Sequence, residues 1–287
     1  MIDLHLHSTF SDGTMSPHEL IEKAAGFGLT AVSITDHDTI AGTQEALTAG
    51  KVFSVEVVPG LEISSKFRDI SLHLLGYQFN WRNRRLVEVL NRLQSARATR
   101  NLEILSKLQS LGLNISEQDL IRESGTGVAG RPHFARILVK RGVVKDNAQA
   151  FAQYLKKGRC AYAPRFLLDV EEAIDIIHGA GGIAILAHPI QLPCSFSEMS
   201  EIIRQLKIAG LDGLESYYPT QKGKIGKRIK DLARTYQMLE TGGSDYHGDV
   251  RPNSSMAGET GKFQVPDDLL VHMKAYQIHP FIDTKTT

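Results

Sequence analysis

Short apolar runs along this chain stop again and again at a histidine or an acid, and this punctuation limits the fold more than any other feature of the sequence. In Ile2-Asp3-Leu4-His5-Leu6-His7 the two-residue period of a strand puts His5 and His7 on one face and Ile2, Leu4 and Leu6 on the other. The run at 31–34 leads into Thr35-Asp36-His37-Asp38, and the next carries Glu62 near its end. His73 sits inside Ser71-Leu72-His73-Leu74-Leu75, Ala187-His188-Pro189 closes a fifth run, and the last enters Gly243-Ser244-Asp245-Tyr246-His247. Asp12 lies in the first loop.

Strands are expected near residues 2–6, 31–34, 53–64, 70–76, 183–187, 212–216 and 237–242, with amphipathic helices between them. That alternation is the α/β pattern of a parallel sheet or barrel, in which strand ends gather at one mouth. Ser16-Pro17-His18-Glu19 reads as an N-cap, a proline at the first helical position and a first-turn carboxylate, with Gly26 or Gly28 as the stop. The polar hexapeptide 64–69 is too short for a crossover helix, so the strands on either side of it form a hairpin.

Between residues 80 and 165 the strand signals vanish. Leu86, Leu90, Leu93, Leu102, Leu105 and Leu108 recur at helical spacing, and shorter helices are expected around Glu117–Glu123, Pro132–Arg141 and Asn147–Lys157. The chain therefore divides into an α/β unit made of residues 1–80 and 166–287 and a helical insertion, 81–165, that covers the mouth. The arginines at 84, 85, 92, 97 and 100 read most simply as the solvated face of the long helix, the alternative being that one or two lean over the mouth and grip a phosphate. Arg131 precedes a proline at a helix start, where backbone N–H groups also favour anions, so Arg131, with His133 beside it, is a candidate substrate contact. Arg251, in the loop after the last motif, is another. Asp36 and Asp38 read as caps for a helix near Ile40 or as groups that orient His37, and Glu215 as a group behind the ligands or facing solvent rather than a ligand.

His5, His7, Asp12, His37, Glu62, His73, His188, Asp245 and His247 make nine metal-type side chains, whereas one ion takes about four to six. Two or three ions with a bridging carboxylate follow, and an imidazole and carboxylate set without sulfur suits Mn²⁺, Zn²⁺ or Fe²⁺, with Mg²⁺ as an option for the third. Lys plus Arg numbers 33 against 32 for Asp plus Glu, which excludes duplex DNA binding by bulk charge. No apolar run approaches the roughly 18 residues of a membrane span, no secretory signal opens the chain, and Cys160 and Cys194 form no CxxC pair; a cytoplasmic setting is expected. GxSxG, CxxxxxR and GxxxxGK[ST] signatures are absent, so neither a covalent nucleophile nor a P-loop competes with metal chemistry.

Taken in order, His5-Leu6-His7-Ser8, Ser11-Asp12-Gly13, Thr35-Asp36-His37-Asp38, Gly60-Leu61-Glu62, His73, Ala187-His188-Pro189 and Gly243-Ser244-Asp245-Tyr246-His247 resemble the PHP (polymerase and histidinol phosphatase) metallophosphoesterases over nearly the whole chain. The resemblance implies a distorted (β/α)7 TIM-like barrel with three metals at its mouth. By position it assigns His5, His7, Glu62 and Asp245 to the first metal, Glu62, His73 and His188 to the second, and Asp12, His37 and His247 to the third. Several members have His where this chain has Asp12, which sets the third site apart. Catalytic weight then falls on Glu62, Asp245 and His247. The stretch Gly130-Arg131-Pro132-His133-Phe134-Ala135-Arg136, with Gly158-Arg159-Cys160-Ala161-Tyr162, resembles the insertion of members that act as 3′,5′-nucleotide bisphosphate phosphatases and as 5′→3′ exonucleases on short RNA. A histidinol-phosphate phosphatase shares the metal motifs and is the alternative. A nucleic-acid-binding module with a structural metal is the second, although structural zinc sites are closed and sulfur-rich.

Overall fold

A computed structural model describes residues 1–125, 127–250 and 254–276. Its strands are β1 (Ile2–Leu6), β2 (Ala31–Ile34), β3 (Glu56–Val57), β4 (Gly60–Phe67), β5 (Ile70–Tyr77), β6 (Leu168–Asp169), β7 (Ile183–Leu186), β8 (Gly213–Tyr217) and β9 (Leu239–Gly242). The helices are α1 (Pro17–Gly26), α2 (Thr43–Phe53), α3 (Arg84–Ser110), α4 (Glu117–Ser124), α5 (Arg131–Lys140), α6 (Asn147–Ala150), α7 (Val170–Gly179), α8 (Phe196–Ile208), α9 (Gly223–Thr235) and α10 (Asp268–Ala275). A π-helical turn, Phe151–Leu155, continues α6.

The fold is α/β, and its strands fall into a three-stranded sheet, β1-β2-β3, and a six-stranded one, β6-β4-β5-β7-β8-β9. The sheet is mixed rather than parallel, because β5 runs antiparallel to both β4 and β7. The expected hairpin is the reason: β4 and β5 pair down to Phe67 and Ile70, leaving a turn of Arg68 and Asp69 that returns the chain in the opposite direction. Arg68 takes the left-handed conformation there, with φ 55°. The single strand expected over 53–64 is two, since β3 ends before Val58-Pro59 and β4 starts at Gly60 in the other sheet. Proline lacks the N–H that an unbroken ladder needs. Hydrogen bonds link the sheets at both sides: Asp38 N to Glu62 O and Glu62 N to Asp36 O on one, His7 N to Tyr246 O and Asp245 N to His5 O on the other.

Local signals set the helix ends. Ser16 caps α1 by accepting from Glu19 N while the Glu19 carboxylate accepts from Ser16 N, and the chain leaves the helix through Gly28 at φ +70°. α3, at 27 residues about 40 Å long, joins two cores. Its first half packs Leu86, Leu90 and Leu93 against the β4–β5–β7 face, and its second packs Ile104, Leu105 and Leu108 against Leu120, Phe134 and Leu138 of α4 and α5. Leu102, expected on the buried stripe, is 51% exposed.

Candidate metal centre

Nine side chains meet in one cluster: His5, Glu62 and His73 from within β1, β4 and β5, Asp12 from the first loop, and His7, His37, His188, Asp245 and His247 from segments that follow β1, β2, β7 and β9. Glu62, completely buried on β4, stands at its centre and divides its two oxygens. Oε1 faces His73 Nδ1 at 2.7 Å and His188 Nε2 at 3.0 Å. Oε2 faces His37 Nδ1 at 3.0 Å, His7 Nε2 at 3.2 Å and His5 Nε2 at 3.4 Å. Burial by itself would raise the Glu62 carboxyl, yet His37, His73 and His5 around it hold it well below the usual carboxylate range. Asp245 Oδ1 lies 3.3 Å from His7 Nε2 and 3.5 Å from His5 Nε2, and Asp12 Oδ1 lies 3.2 Å from His247 Nε2.

All nine sequence-predicted metal-type residues are therefore brought together. Three subsets present ligand atoms within 4.8 Å of one another: His7, Asp12, His37 and His247; His5, His7 and Asp245; His37, Glu62 and His73. Among the described residues, Asp12 Oδ1, His37 Nδ1 and His247 Nε2 are buried without a hydrogen-bond partner. Burying such lone pairs unsatisfied is costly, and a cation among them would remove the cost, so the residues present fit divalent metal.

Outer contacts fix the orientation of these groups. Glu215, buried at the middle of β8, accepts from His5 Nδ1 at 2.8 Å and from the His188 backbone N–H at 2.6 Å, the place behind the ligands that the sequence suggested. Tyr218 donates from its hydroxyl to Asp245 Oδ2 at 2.8 Å. Asp36 and Asp38 do not cap a helix; α2 starts at Thr43, and its N-cap is Gly42, which offers no side chain. Asp36 instead accepts from Ser8 N, Ser8 Oγ and Ser11 Oγ, which pins the loop carrying Asp12. Asp38 accepts from Ser64 N at 2.7 Å and pairs with Arg97; burial would push Asp38 up, but Arg97 and Arg165 hold it down at about 2.

Arginines share the cavity with this cluster. A cavity of about 440 Å³ is lined by Asp12, His37, His73 and His188 together with Arg97, Arg100, Arg131 and Arg165. Arg97 and Arg100 are buried, 9% and 4% exposed, which corrects their reading as a solvated face. The signal was in the stripe itself: Leu93, Arg97, Arg100 and Ile104 follow one another at helical steps on the inward face of α3. Burial first, then mutual repulsion among these cations, lowers Arg100 to about 9 and Arg165 to about 10. Arg165, which the sequence reading did not single out, donates from Nη2 to His73 Nε2 at 3.1 Å. His133 is not an anion contact of the expected kind: it is 1% exposed, accepts the Gly130 N–H through Nδ1, and burial pushes it down to about 4, so it stays neutral. Arg251 lies outside the described residues.

An α/β fold with a buried, sulfur-free imidazole and carboxylate cluster beneath a cationic cavity defines a metal-dependent hydrolase of phosphate esters. More particularly, the chain matches the PHP domain over residues 3–172 and belongs to that family. It is 35% identical to a 5′-3′ exoribonuclease of Haemophilus influenzae, over 85% of this chain and 89% of that one. It is 29% identical to a 3′,5′-nucleoside bisphosphate phosphatase of Chromobacterium violaceum, over 86% of this chain and 87% of that one. A solved structure from Bifidobacterium adolescentis, provisionally described as a metal-dependent phosphoesterase, superposes with a TM-score of 0.86 at 31% identity, covering 96% of this chain and 95% of its own. Among the described residues no helix is long and apolar enough to cross a membrane.

Proposed function

We propose that this protein removes phosphate from nucleoside 3′,5′-bisphosphates such as adenosine 3′,5′-bisphosphate, and acts as a 5′→3′ exonuclease on short RNA. The observation that carries this is one cavity lined both by metal-type residues and by four arginines. A substrate that uses both sets has one phosphate at the cluster and a second anion among the arginines. The names of the bisphosphatase and exoribonuclease relatives support the same substrate class, since both substrates carry two phosphate groups on one nucleoside.

In this reading His5, His7, Glu62 and Asp245 hold one divalent ion, Glu62, His73 and His188 a second, and Asp12, His37 and His247 a third, of Mn²⁺, Zn²⁺, Fe²⁺ or Mg²⁺. When bound, such ions screen phosphoryl charge and lower the pKa of water, supplying hydroxide near neutral pH. The chain's own groups do the positioning. Glu62 offers one oxygen to each half of the cluster, Glu215 fixes His5, and Tyr218 orients Asp245. Arg131 holds the second phosphate, which aligns the scissile ester and favours a substrate that carries that second anion.

The bridges between β2 and β4 and between β1 and the segment after β9 support reading β1, β2, β4, β5, β7, β8 and β9 as one distorted seven-stranded barrel. Residues 81–165 then form a helical unit over its mouth, supported by the separate core of α3–α6 and by the arginines that α3 and α5 place in the cavity. The test is elemental analysis of the purified protein together with phosphate release from adenosine 3′,5′-bisphosphate, 5′-phosphorylated RNA and histidinol phosphate. Two or three equivalents of metal, activity lost to a chelator and restored by metal, and preference for the nucleotides are expected. Preference for histidinol phosphate would overturn the substrate assignment.

A further inference from the structure

α9 gathers positive charge that neither the metal cluster nor the cavity uses. From Lys222 to Arg234 it carries Lys222, Lys224, Lys227, Arg228, Lys230 and Arg234 against Asp231 alone, in a chain whose net charge is +1. Its buried side, Gly226, Ile229, Leu232 and Ala233, packs on the sheet, which turns the basic side outward. Arg234 is neutralised by Asp231 and Glu240, and Lys230 lies 3.2 Å above the Tyr217 ring. Among the described residues Lys222, Lys224, Lys227 and Arg228 have no carboxylate partner, and Arg228 is held 3.5 Å over the Phe196 ring.

A charged helix face is ordinarily just solvated; its place in the fold makes this one different. The loop that leads into α9 is fastened to the metal cluster. Gln221 donates from Nε2 to the Glu215 carbonyl at 2.9 Å and accepts the Ile190 N–H at 3.1 Å, while Tyr218 of the same loop holds Asp245. At Gly226 a Cβ would come 2.3 Å from the Gln221 carbonyl, so the first turn of the helix is pressed against this loop. The unpaired basic stretch, Lys222 to Arg228, therefore begins at the mouth and runs away from it for roughly 9 Å. It also lies on the other side from the arginines. Arg97 and Arg165 stand over β4 and β5 through Ser64 and His73, whereas β8, which feeds α9, lies beyond β7 in the sheet order.

We infer that α9 is the rail for the RNA chain on the 3′ side of the scissile phosphodiester, with the 5′-terminal phosphate held in the arginine cavity. This rests on the nucleotide reading given above and extends it to the part of the substrate beyond the first nucleotide. Unpaired lysines spaced along a helix recognise successive phosphates by charge, without reading bases, and such binding weakens steeply with salt. A mononucleotide bisphosphate has no chain to reach α9. The rail therefore acts on long substrates and leaves short ones alone.

The test compares the metal-loaded wild type with the triple variant Lys222→Ala, Lys224→Ala, Lys227→Ala, on a 5′-phosphorylated RNA of about ten nucleotides and on adenosine 3′,5′-bisphosphate, between about 50 and 200 mM salt. For RNA, KM should rise on the order of 10-fold at the lower salt, and the slope of log KM against log salt should flatten by about 2, or about 0.7 per lost phosphate contact. The bisphosphate serves as internal reference and should keep its kcat and KM. Should the triple variant be unstable, the single reversal Lys227→Glu carries the same expected direction. An unchanged RNA slope, or equal losses on both substrates, overturns the rail. A wild type that hydrolyses the bisphosphate and leaves RNA intact also overturns it but leaves the phosphatase reading standing, whereas a wild type that hydrolyses neither overturns that reading itself.

Discussion

Arg97, halfway along α3, pairs with the carboxylate of Asp38, the residue that follows His37. Both side chains are nearly out of reach of water, at 10% and 2% exposure. Arg97 also reaches Ser64 Oγ, and Gln94 of the same helix donates to the Asp38 carbonyl at 2.9 Å. The helical segment is thus clamped to the loop that carries one of the metal-type histidines.

Removing one member of a buried pair strands the other. Arg97→Ala should destabilise the protein by about 3–5 kcal/mol, read from denaturant unfolding, because Asp38 would stay buried and charged without its partner. The double variant Arg97→Met, Asp38→Asn should recover most of that loss. A cost below about 1 kcal/mol for the single variant would show that the pair contributes little to the fold.

Glu62 addresses both halves of the cluster, whereas Asp12 stands beside His247 at its edge. Glu62→Gln should therefore abolish turnover more completely than Asp12→Asn and should release more metal, measured at matched loading. Folding should largely survive in both. Equal residual activity in the two variants would refute a bridging role for Glu62.

Arg131 lines the cavity with its guanidinium between the Phe151 and Tyr162 rings, 5.9 Å from each centroid. Arg131→Ala should lower kcat/KM for a 3′,5′-bisphosphate by about 10- to 150-fold, the loss of one charge-assisted contact of roughly 1.5–3 kcal/mol. A minimal phosphate ester without the second phosphate should be nearly unaffected, since a remote cation acts only on a remote anion. Equal loss on both substrates would assign Arg131 to the fold instead.

His133 gives a pH dependence with a definite sign. Its ordinary value is 6.5 and burial lowers it to about 4 in the folded protein, so between those values the unfolded chain takes up a proton that the folded one refuses. Stability is full above about pH 6.5 and declines as the pH falls toward 4, by at most about 3 kcal/mol from this group. His133→Gln, which keeps an acceptor for Gly130 N–H, should shrink the difference in unfolding free energy between about pH 7 and about pH 5. An identical pH profile in the variant would remove His133 as a source.

The sequence by itself determined which residues could meet at the strand ends, and several local boundaries. His5 and His7 share a face because of a two-residue period, Ser16 and Glu19 close the start of α1, and the short polar stretch 64–69 cannot hold a crossover helix, so β4 and β5 return antiparallel. These features depend on neighbours along the chain, and neighbours are what a sequence displays. Tertiary structure alone decided the fate of the charges. Arg97 lies 59 residues from Asp38 and Arg165 lies 92 from His73, so nothing near either arginine in sequence reveals the acid or imidazole that makes its burial tolerable. Asp36 likewise looked like a helix cap, a role available within a few residues, and went instead to Ser8 and Ser11 on the neighbouring strand's loop. Burial of a charge requires a partner brought by the fold, and that partner is set by the packing of β4, β5 and α3 rather than by local propensity.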